Sequence, residues 1–558
     1  MLKVSVRSVI WFLVILLGVY FLYFNTAIKS ITTVFPKVYS PDDSETNYII
    51  ALIVSRGGGL YKDFSIVYPP ARFLLEGLLF RIFSPTLPLT FLYFTFVKIV
   101  FAIVLFFLSK KIFDQFLQIK LSYRSVIKSI LAILTVLIYQ SFINSAQEVH
   151  AVVALFFLAY ISFDRKHASQ FIVLGVLLAL VFLFRIDAGI LLTVSLLVAH
   201  YLNPSRSHLF SKYFFVGSLL VFIPVFILIT FHGSLINFLY DSLYLGLIIQ
   251  PKMMSLPLPP PPVGKVFWAV MIFILFASCS MALYAQKLRN IKNITVTQAF
   301  CLFAALSFAS ALGRSDEAHL WYGSVWMSVF IVYGVLCSTS LRKILSVRKI
   351  FLVVILTLAS LVVTYALLYF KNPSLYIVIT VVVFIIVIRQ NIVTSLSLLL
   401  GGTIASLIVF HSAAYLRLIY SPPHPKLYFS FNMQTFTNGR NKLAGMTLST
   451  ENKDFLNSVK QVLNPREKYL FIYPDSVLYY EYFHLKNPTR HYYLTGETTE
   501  KLQHEIIADL QKNHTKQFLI FPEKVTYKGS VWMWLLKNTS LKKSFIVENL
   551  KAEVRIKN

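Results

Sequence analysis

Apolar residues in this chain gather in long runs, at about 9 to 25, 86 to 108, 127 to 143, 150 to 163, 170 to 184, 187 to 201, 213 to 231, 266 to 285, 296 to 312, 322 to 340, 350 to 370, 374 to 388 and 392 to 410. A bilayer core takes about 20 residues of helix, so the shorter runs must recruit flanking residues. The pattern predicts an α-helical polytopic membrane protein with about thirteen transmembrane helices. The first run follows Lys3 and Arg7 with no small-residue cleavage site behind it, and reads as a retained helix. A polar interruption at about 27 to 85 separates it from the second run.

After about residue 411 the long runs stop. The boundaries this suggests are a membrane part over 1 to 410, a linker over 411 to 426 that includes SPPHPK, and a tail over 427 to 558. In the tail NKDFLNSVKQVL has helical spacing, and Leu502, Ile506 and Leu510 mark one face of a helix beginning near Thr498. KYLFIYP, KQFLIFP and SFIVEN have the length and composition of strands, so the tail is expected to be a small α/β domain. Asp475, Arg490 and His491 could face a ligand there, but loops after strands carry such residues for turn chemistry alone.

Composition narrows the class. With 57% hydrophobic and 14% charged residues and a mean hydropathy of +0.69, the chain lies far from soluble domains, which carry about 25% charge. The formal charge of +28 does not imply nucleic acid, because the excess Lys and Arg lies largely in short connections between apolar runs. Cys279, Cys301 and Cys337 all fall inside apolar runs, without metal or disulfide spacing, and read as packing residues. Gly57, Gly58 and Gly59 are not followed by the Lys-Ser/Thr of a phosphate-binding loop, so soluble nucleotide chemistry is not supported.

Charge also orients the chain. With a cytoplasmic N-terminus, SKKIFDQFLQIKLSYRSVIK, DRKHASQ, NPSRSHLFSKY, QKLRNIKN, LRKILSVRK and RQN fall inside, and each is basic. The opposite face collects Asp42, Asp43, Glu45, Asp63, Glu76, Glu148, Asp187, Asp241, Asp316 and Glu317. The tail follows by parity on that outer face. The expected location is therefore a plasma or inner membrane, crossed many times, with an extracytoplasmic C-terminal domain.

Three outer segments could carry chemistry. The first runs from Ser40 to Phe73 and places Asp42, Asp43 and Glu45 before a glycine triplet, Tyr61-Lys62-Asp63 and Tyr68-Pro69-Pro70, the makings of a folded loop. In the second, Arg185 and Asp187 interrupt FLFRIDAGILL at a tight hairpin; charges at membrane depth mark either a site or a mutual ion pair that turns the chain. The third, ALGRSDEAHLWYG, packs Arg314, Asp316 and His319 into six residues, as a site or as helix caps. The loop from His232 to Lys265 adds Asp241, Lys252 and a polyproline run that could wall a cleft or act as a spacer.

Carboxylates, arginines and a histidine at a membrane interface, without a nucleotide site, suit sugar transfer from a polyprenyl phosphate carrier. Arginine would hold the phosphate, with Lys62 and Arg72 of the first loop beside Arg185 and Arg314, and a carboxylate would deprotonate the acceptor hydroxyl. The order of acidic first loop, GGGLYKDFSIVYPPARF, FRIDAG and LGRSDEAHL resembles bacterial integral-membrane glycosyltransferases of the GT-C superfamily, in the group related to protein mannosyltransferases and lipid A aminoarabinose transferase. The resemblance covers about residues 1 to 410.

That resemblance implies a GT-C-like fold, a polyprenyl-phosphate sugar donor, a glycan, lipid or protein acceptor, and usually inversion at the anomeric carbon. It implies a catalytic carboxylate in the first outer loop, commonly Asp-Glu followed shortly by Tyr. Here Glu45 precedes Thr46-Asn47-Tyr48 while Ser44 stands in the Asp position, so the base is Asp43, Glu45 or Asp42, in that order. Some members use a divalent cation, Mg or Mn, which Asp43 and Glu45 would hold. The rival readings are a transporter or flippase, a polysaccharide polymerase or ligase, and a non-enzymatic envelope assembly protein.

Overall fold

The computed structural model describes residues 43–116, 128–129, 132–133, 135–136, 147–163, 167–202, 211–249, 294–311, 325–326, 329, 442–443, 446–447, 450–474, 478–492, 499–525, 528–547 and 550–558. The runs at 9 to 25, 266 to 285 and 350 to 410, most of those at 127 to 143 and 322 to 340, the linker, and Asp42, Arg314, Asp316, His319 and Asp475 lie outside these residues.

Two short helices come first, α1 (Asp43–Ser55) and α2 (Ala71–Ile82), both inside the polar interruption. The bundle follows as α3 (Leu87–Phe116), α4 (Glu148–Ser162), α5 (Ala168–Phe184), α6 (Ile186–Leu202), α7 (Lys212–His232) and α8 (Ile294–Ala311). Each falls on an apolar run. Leu92–Phe113 and Lys212–His232 are long and apolar enough to cross a membrane unaided, and α4, α5 and α6 are shorter apolar helices. α3 departs from the sequence expectation: it continues through Lys110 and Lys111, which were assigned to an inner loop. The reason is packing, since Ile112 and Phe113 belong to the bundle core.

That core is aromatic. Trp326 meets Phe101 of α3 edge-on at 5.8 Å and Phe300 of α8 at 5.7 Å, while Phe157 of α4 lies 4.7 Å from Phe300. α5 and α7 approach closely because Gly175 faces the Phe214 carbonyl and Gly217 the Ile172 carbonyl, where a Cβ would meet backbone. The Ser218 hydroxyl donates to the Gly175 carbonyl at 3.1 Å across the same contact. Small residues with an interhelical hydrogen bond are the way helices associate in lipid. The other side of α7 leaves Phe215, Leu220, Ile223 and Phe231 exposed, as a lipid-facing surface would.

Beyond α7 the chain forms one α-helical turn, Leu235–Phe238, that runs into a π-helix, Leu239–Ile249. The loop expected from His232 onward is therefore helical at its start.

The tail contains a two-stranded ribbon, β1 (Lys442–Leu443) with β2 (Met446–Thr447), and a four-stranded sheet of β3 (Phe471–Tyr473), β4 (Gln517–Ile520), β5 (Thr539–Val547) and β6 (Leu550–Lys557) in the order β3-β4-β6-β5. β3 and β4 are parallel, joined by α11 (Glu500–Lys512), and the other two pairings are antiparallel. A further helix, α9 (Thr450–Val462), precedes β3, the short α10 (Tyr479–Phe483) lies within the crossover ahead of α11, and α12 (Ser530–Asn538) follows β4. Alternation along the strands gives the sheet two apolar faces. Phe471, Phe518 and Ile520 pack with Ile506 and Leu510 of α11 and Leu535 of α12. Ile472, Leu519 and Val554 pack on the opposite side with Phe455 and Leu456 of α9.

That second core also takes in Tyr48, Ile49, Ala51 and Leu52 of α1. The first-loop helix is thus part of the tail's hydrophobic interior as well as of the membrane part.

Candidate active site

Asp43 and Glu45 fall in the first turn of α1, a helix that ends against the glycine triplet. Its last carbonyls are satisfied by Arg81 of α2, whose Nε donates to Ser55 at 3.0 Å and Nη2 to Val54 at 3.3 Å. Gly57 then turns the chain at φ +86°, a conformation that a side chain would strain. The Gly59 N–H donates to Asp63 at 2.7 Å, and Lys62 is exposed on this turn. Tyr61 is buried and donates its hydroxyl to the Tyr68 carbonyl at 2.8 Å, and its backbone carbonyl accepts from Asn237 Nδ2 at 3.0 Å. The Ser242 hydroxyl reaches the same Tyr68 carbonyl at 3.3 Å. The first loop is a folded unit seated on the segment that follows α7.

α2 brings Arg72 and Glu76 to the end of the bundle that charge parity assigns to the outer face. Arg72 Nε lies 3.4 Å from Glu148, in the first turn of α4, and 3.6 Å from Glu76, while its guanidinium stacks 4.3 Å from the Phe94 ring. The contacts are long, and Arg72 Nε, both Glu76 oxygens and Glu148 Oε1 are buried without a hydrogen bond of ordinary geometry. Glu76 is 1% exposed. Burial is the main force that raises its carboxyl to about 7, against Arg72 and with Glu148. Burial works against the charge on Arg72 too, but the two carboxylates outweigh it and raise its pKa.

The neighbouring residue extends this group to the α5–α6 turn. Gln147 caps α4, its N–H donating to His150 Nδ1 at 2.9 Å, and its side-chain oxygen accepts from Arg185 Nη1 at 3.4 Å. Arg185 Nε donates to both oxygens of Asp187, at 2.9 and 3.1 Å, across the hairpin. The ion pair and the link to Gln147 therefore coexist. The result is one polar band, Glu76–Arg72–Glu148 beside Gln147–Arg185–Asp187, in which three carboxylates face two guanidiniums.

The structure thus brings together Arg72, Arg185 and Asp187 among the expected ligands and adds Glu76, Glu148 and Gln147, which no local motif marks. Among the described residues no group of three or more His, Cys, Asp and Glu forms a metal cluster. Arg490 and His491, read as facing a ligand or serving a turn, are instead buried in a contact with Asp241 and Glu505.

No family model and no curated protein matches the sequence. Among solved structures the chain is similar to ArnT from Cupriavidus metallidurans. Against ArnT bound to undecaprenyl phosphate the TM-score is 0.51 at 12% identity, over 99% of this chain and 98% of that one. Against ArnT in the apo state it is 0.52 at 11% identity, over 97% and 98%. The chain shares the fold of ArnT over nearly its whole length. At this identity the likeness carries fold, and chemistry must be argued from the residues.

Proposed function

We propose that this protein is a membrane glycosyltransferase that moves a sugar from a polyprenyl-phosphate donor to a hydroxyl of a glycan, lipid or protein acceptor at the outer face. The observation that carries the reading is the ArnT-like fold over nearly the whole chain, one of the matched structures holding undecaprenyl phosphate, combined with a polar band at the bundle end beside the first loop. Arg72 and Arg185 supply planar cations for the phosphate, and their carboxylate neighbours fix their orientation. A first-loop carboxylate, Asp43 before Glu45 and Asp42, takes the acceptor proton as the hydroxyl attacks the anomeric carbon. Leaving-group charge then falls on the arginine band, with Lys62, Arg314, Asp316 and His319 as further ligands. Asp43 and Glu45 are the residues that would hold a divalent cation.

The test is transfer from undecaprenyl-phosphate-linked hexoses and pentoses by the full chain in proteoliposomes. Replacing Asp42, Asp43 and Glu45 together by Asn and Gln should lower the rate by about 100-fold or more while membrane insertion persists. Unchanged transfer would remove the first-loop acids from the mechanism.

A further inference from the structure

Arg490 joins three parts of the chain that are far apart in sequence. Its Nη1 donates to Asp241 Oδ2 at 2.5 Å and its Nη2 to Asp241 Oδ1 at 3.3 Å, so the π-helix is gripped by a two-pronged contact. On its other edge Nε donates to Glu505 of α11 at 2.6 Å and Nη2 to the second Glu505 oxygen at 3.4 Å. Its own carbonyl accepts the Ser65 N–H of the first loop at 2.7 Å. Asp241 is 0% exposed and Arg490 9%. His491 Nε2 lies 3.2 Å from the Glu505 oxygen that Arg490 already holds.

The loop that presents Arg490 is itself fixed. Asn487 accepts the Thr489 N–H at 3.0 Å and donates to the His491 carbonyl at 2.8 Å, and Asn513 donates to the Pro488 carbonyl at 2.6 Å. Next to it Tyr492 packs against both the tail core and the core of the first loop. On the far side of the same junction Lys501 of α11 lies 4.0 Å from the Tyr240 ring.

We propose that Arg490 is a positioning residue that fixes the first outer loop, and with it the acid-bearing start of α1, to the tail and to the segment after α7. A planar guanidinium holds two carboxylates at once through directed N–H donors, which a single ammonium cannot reproduce, and so fixes the backbone whose carbonyl takes the Ser65 N–H. Its consequence for catalysis rests on the glycosyl-transfer reading; its consequence for loop order does not.

The experiment follows hydrogen exchange of the full chain in nanodiscs, with Arg490→Gln, Arg490→Lys and Asp241→Asn. Asp241→Asn breaks the junction from the membrane side and leaves the tail's own core untouched, so a failed tail in Arg490→Gln does not decide the matter. Exchange across residues 57 to 68 should rise about tenfold or more in Arg490→Gln and Asp241→Asn, with β3 and β4 protected as in the parent, and Arg490→Lys should fall between. Unchanged protection of 57 to 68 in Asp241→Asn overturns the proposal. In transfer assays on the undecaprenyl-phosphate-linked panel, kcat should fall about tenfold or more with KM nearly unchanged. Faster exchange with kcat intact would overturn the positioning role. If the parent protein transfers none of the panel, the glycosyl-transfer reading fails while the exchange arm still judges the junction.

Discussion

Two arginines, Arg490 buried and Arg72 partly buried, each face two carboxylates in this molecule, and the two groups are built differently. Around Arg490 the carboxylates of Asp241 and Glu505 take short charge-assisted hydrogen bonds from three guanidinium nitrogens. Around Arg72 the carboxylates stay at 3.4 and 3.6 Å, and Glu76 finds no hydrogen-bond partner for either oxygen. Every guanidinium nitrogen of Arg490 has a carboxylate partner, although His491 Nε2 beside it makes no hydrogen bond; well-partnered buried groups rigidify what they join, whereas unpartnered ones carry a desolvation cost. The Arg490 junction therefore behaves as a lock. The Arg72 band is held by longer contacts.

The largest way to break this comparison is to neutralise one acid in each group. Asp241→Asn leaves Arg490 short of a charge partner at a fully buried position, a change that costs about 3–5 kcal/mol when a buried pair loses one member. Glu76→Gln removes an acid that already holds much of its proton near neutral pH and accepts no hydrogen bond, so it should change stability by less than about 1 kcal/mol. Thermal unfolding of both variants in the same detergent checks the contrast. Equal losses would mean that the Arg72 band is as structural as the junction.

Acid should move the two groups in opposite directions. Burial alone would raise Glu505, but the contacts with His491 and Arg490 outweigh it and hold the carboxyl at about 2, below its ordinary 4.5. A depressed folded value means stability that is complete above 4.5 and is lost as pH falls toward 2. Glu76, raised to about 7, binds a proton more tightly folded than unfolded; its contribution is most favourable below 4.5 and weakens as pH rises to 7. Hydrogen exchange at pH 3, 5 and 7, corrected for intrinsic rates, should show α2 tightening in acid while the 57 to 68 loop loosens less than Glu505 alone would cause, because burial raises Asp241 of the same junction and its contribution is most favourable in acid. Asp509, which burial and the neighbouring Glu505 charge raise, binds its proton more tightly folded than unfolded and so offsets part of the acid loss on α11. A parallel response of the two regions would erase the distinction between them.

What the chain made legible was whatever lies within one run of residues. The long apolar stretches became helices, KYLFIYP and KQFLIFP became β3 and β4, and Arg185 with Asp187 stood out because two charges break an apolar run at one turn. Glu76 and Glu148 did not stand out, since each is a single acid on its own helix and only the packing of α2 near α4 brings them to Arg72. The Arg490–Asp241 pair spans 249 positions, a separation that no local spacing rule reaches. α1 was hidden inside a loop because its apolar stretch, NYIIALIVS, is too short for a span. β6 was missed because Lys551, Glu553 and Arg555 alternate with buried Ala552 and Val554, and the charges mask the strand.

The smallest expected effect lies at the rim of the same junction. Arg56, just past the end of α1, donates to both oxygens of Glu481 in the tail, at 2.9 and 3.2 Å, a geometry as complete as that of Arg490. Its side chain is 61% exposed, however, and Glu481 is 27% exposed. Water and salt screen such a pair, so Arg56→Ala should cost less than about 1 kcal/mol and leave the exchange of residues 57 to 68 close to the parent. Good geometry without burial thus serves as the control for good geometry with it. If Arg56→Ala loosened the loop as much as Asp241→Asn does, charge across the tail interface as a whole, and not the buried Arg490 fork, would be what holds the first loop in place.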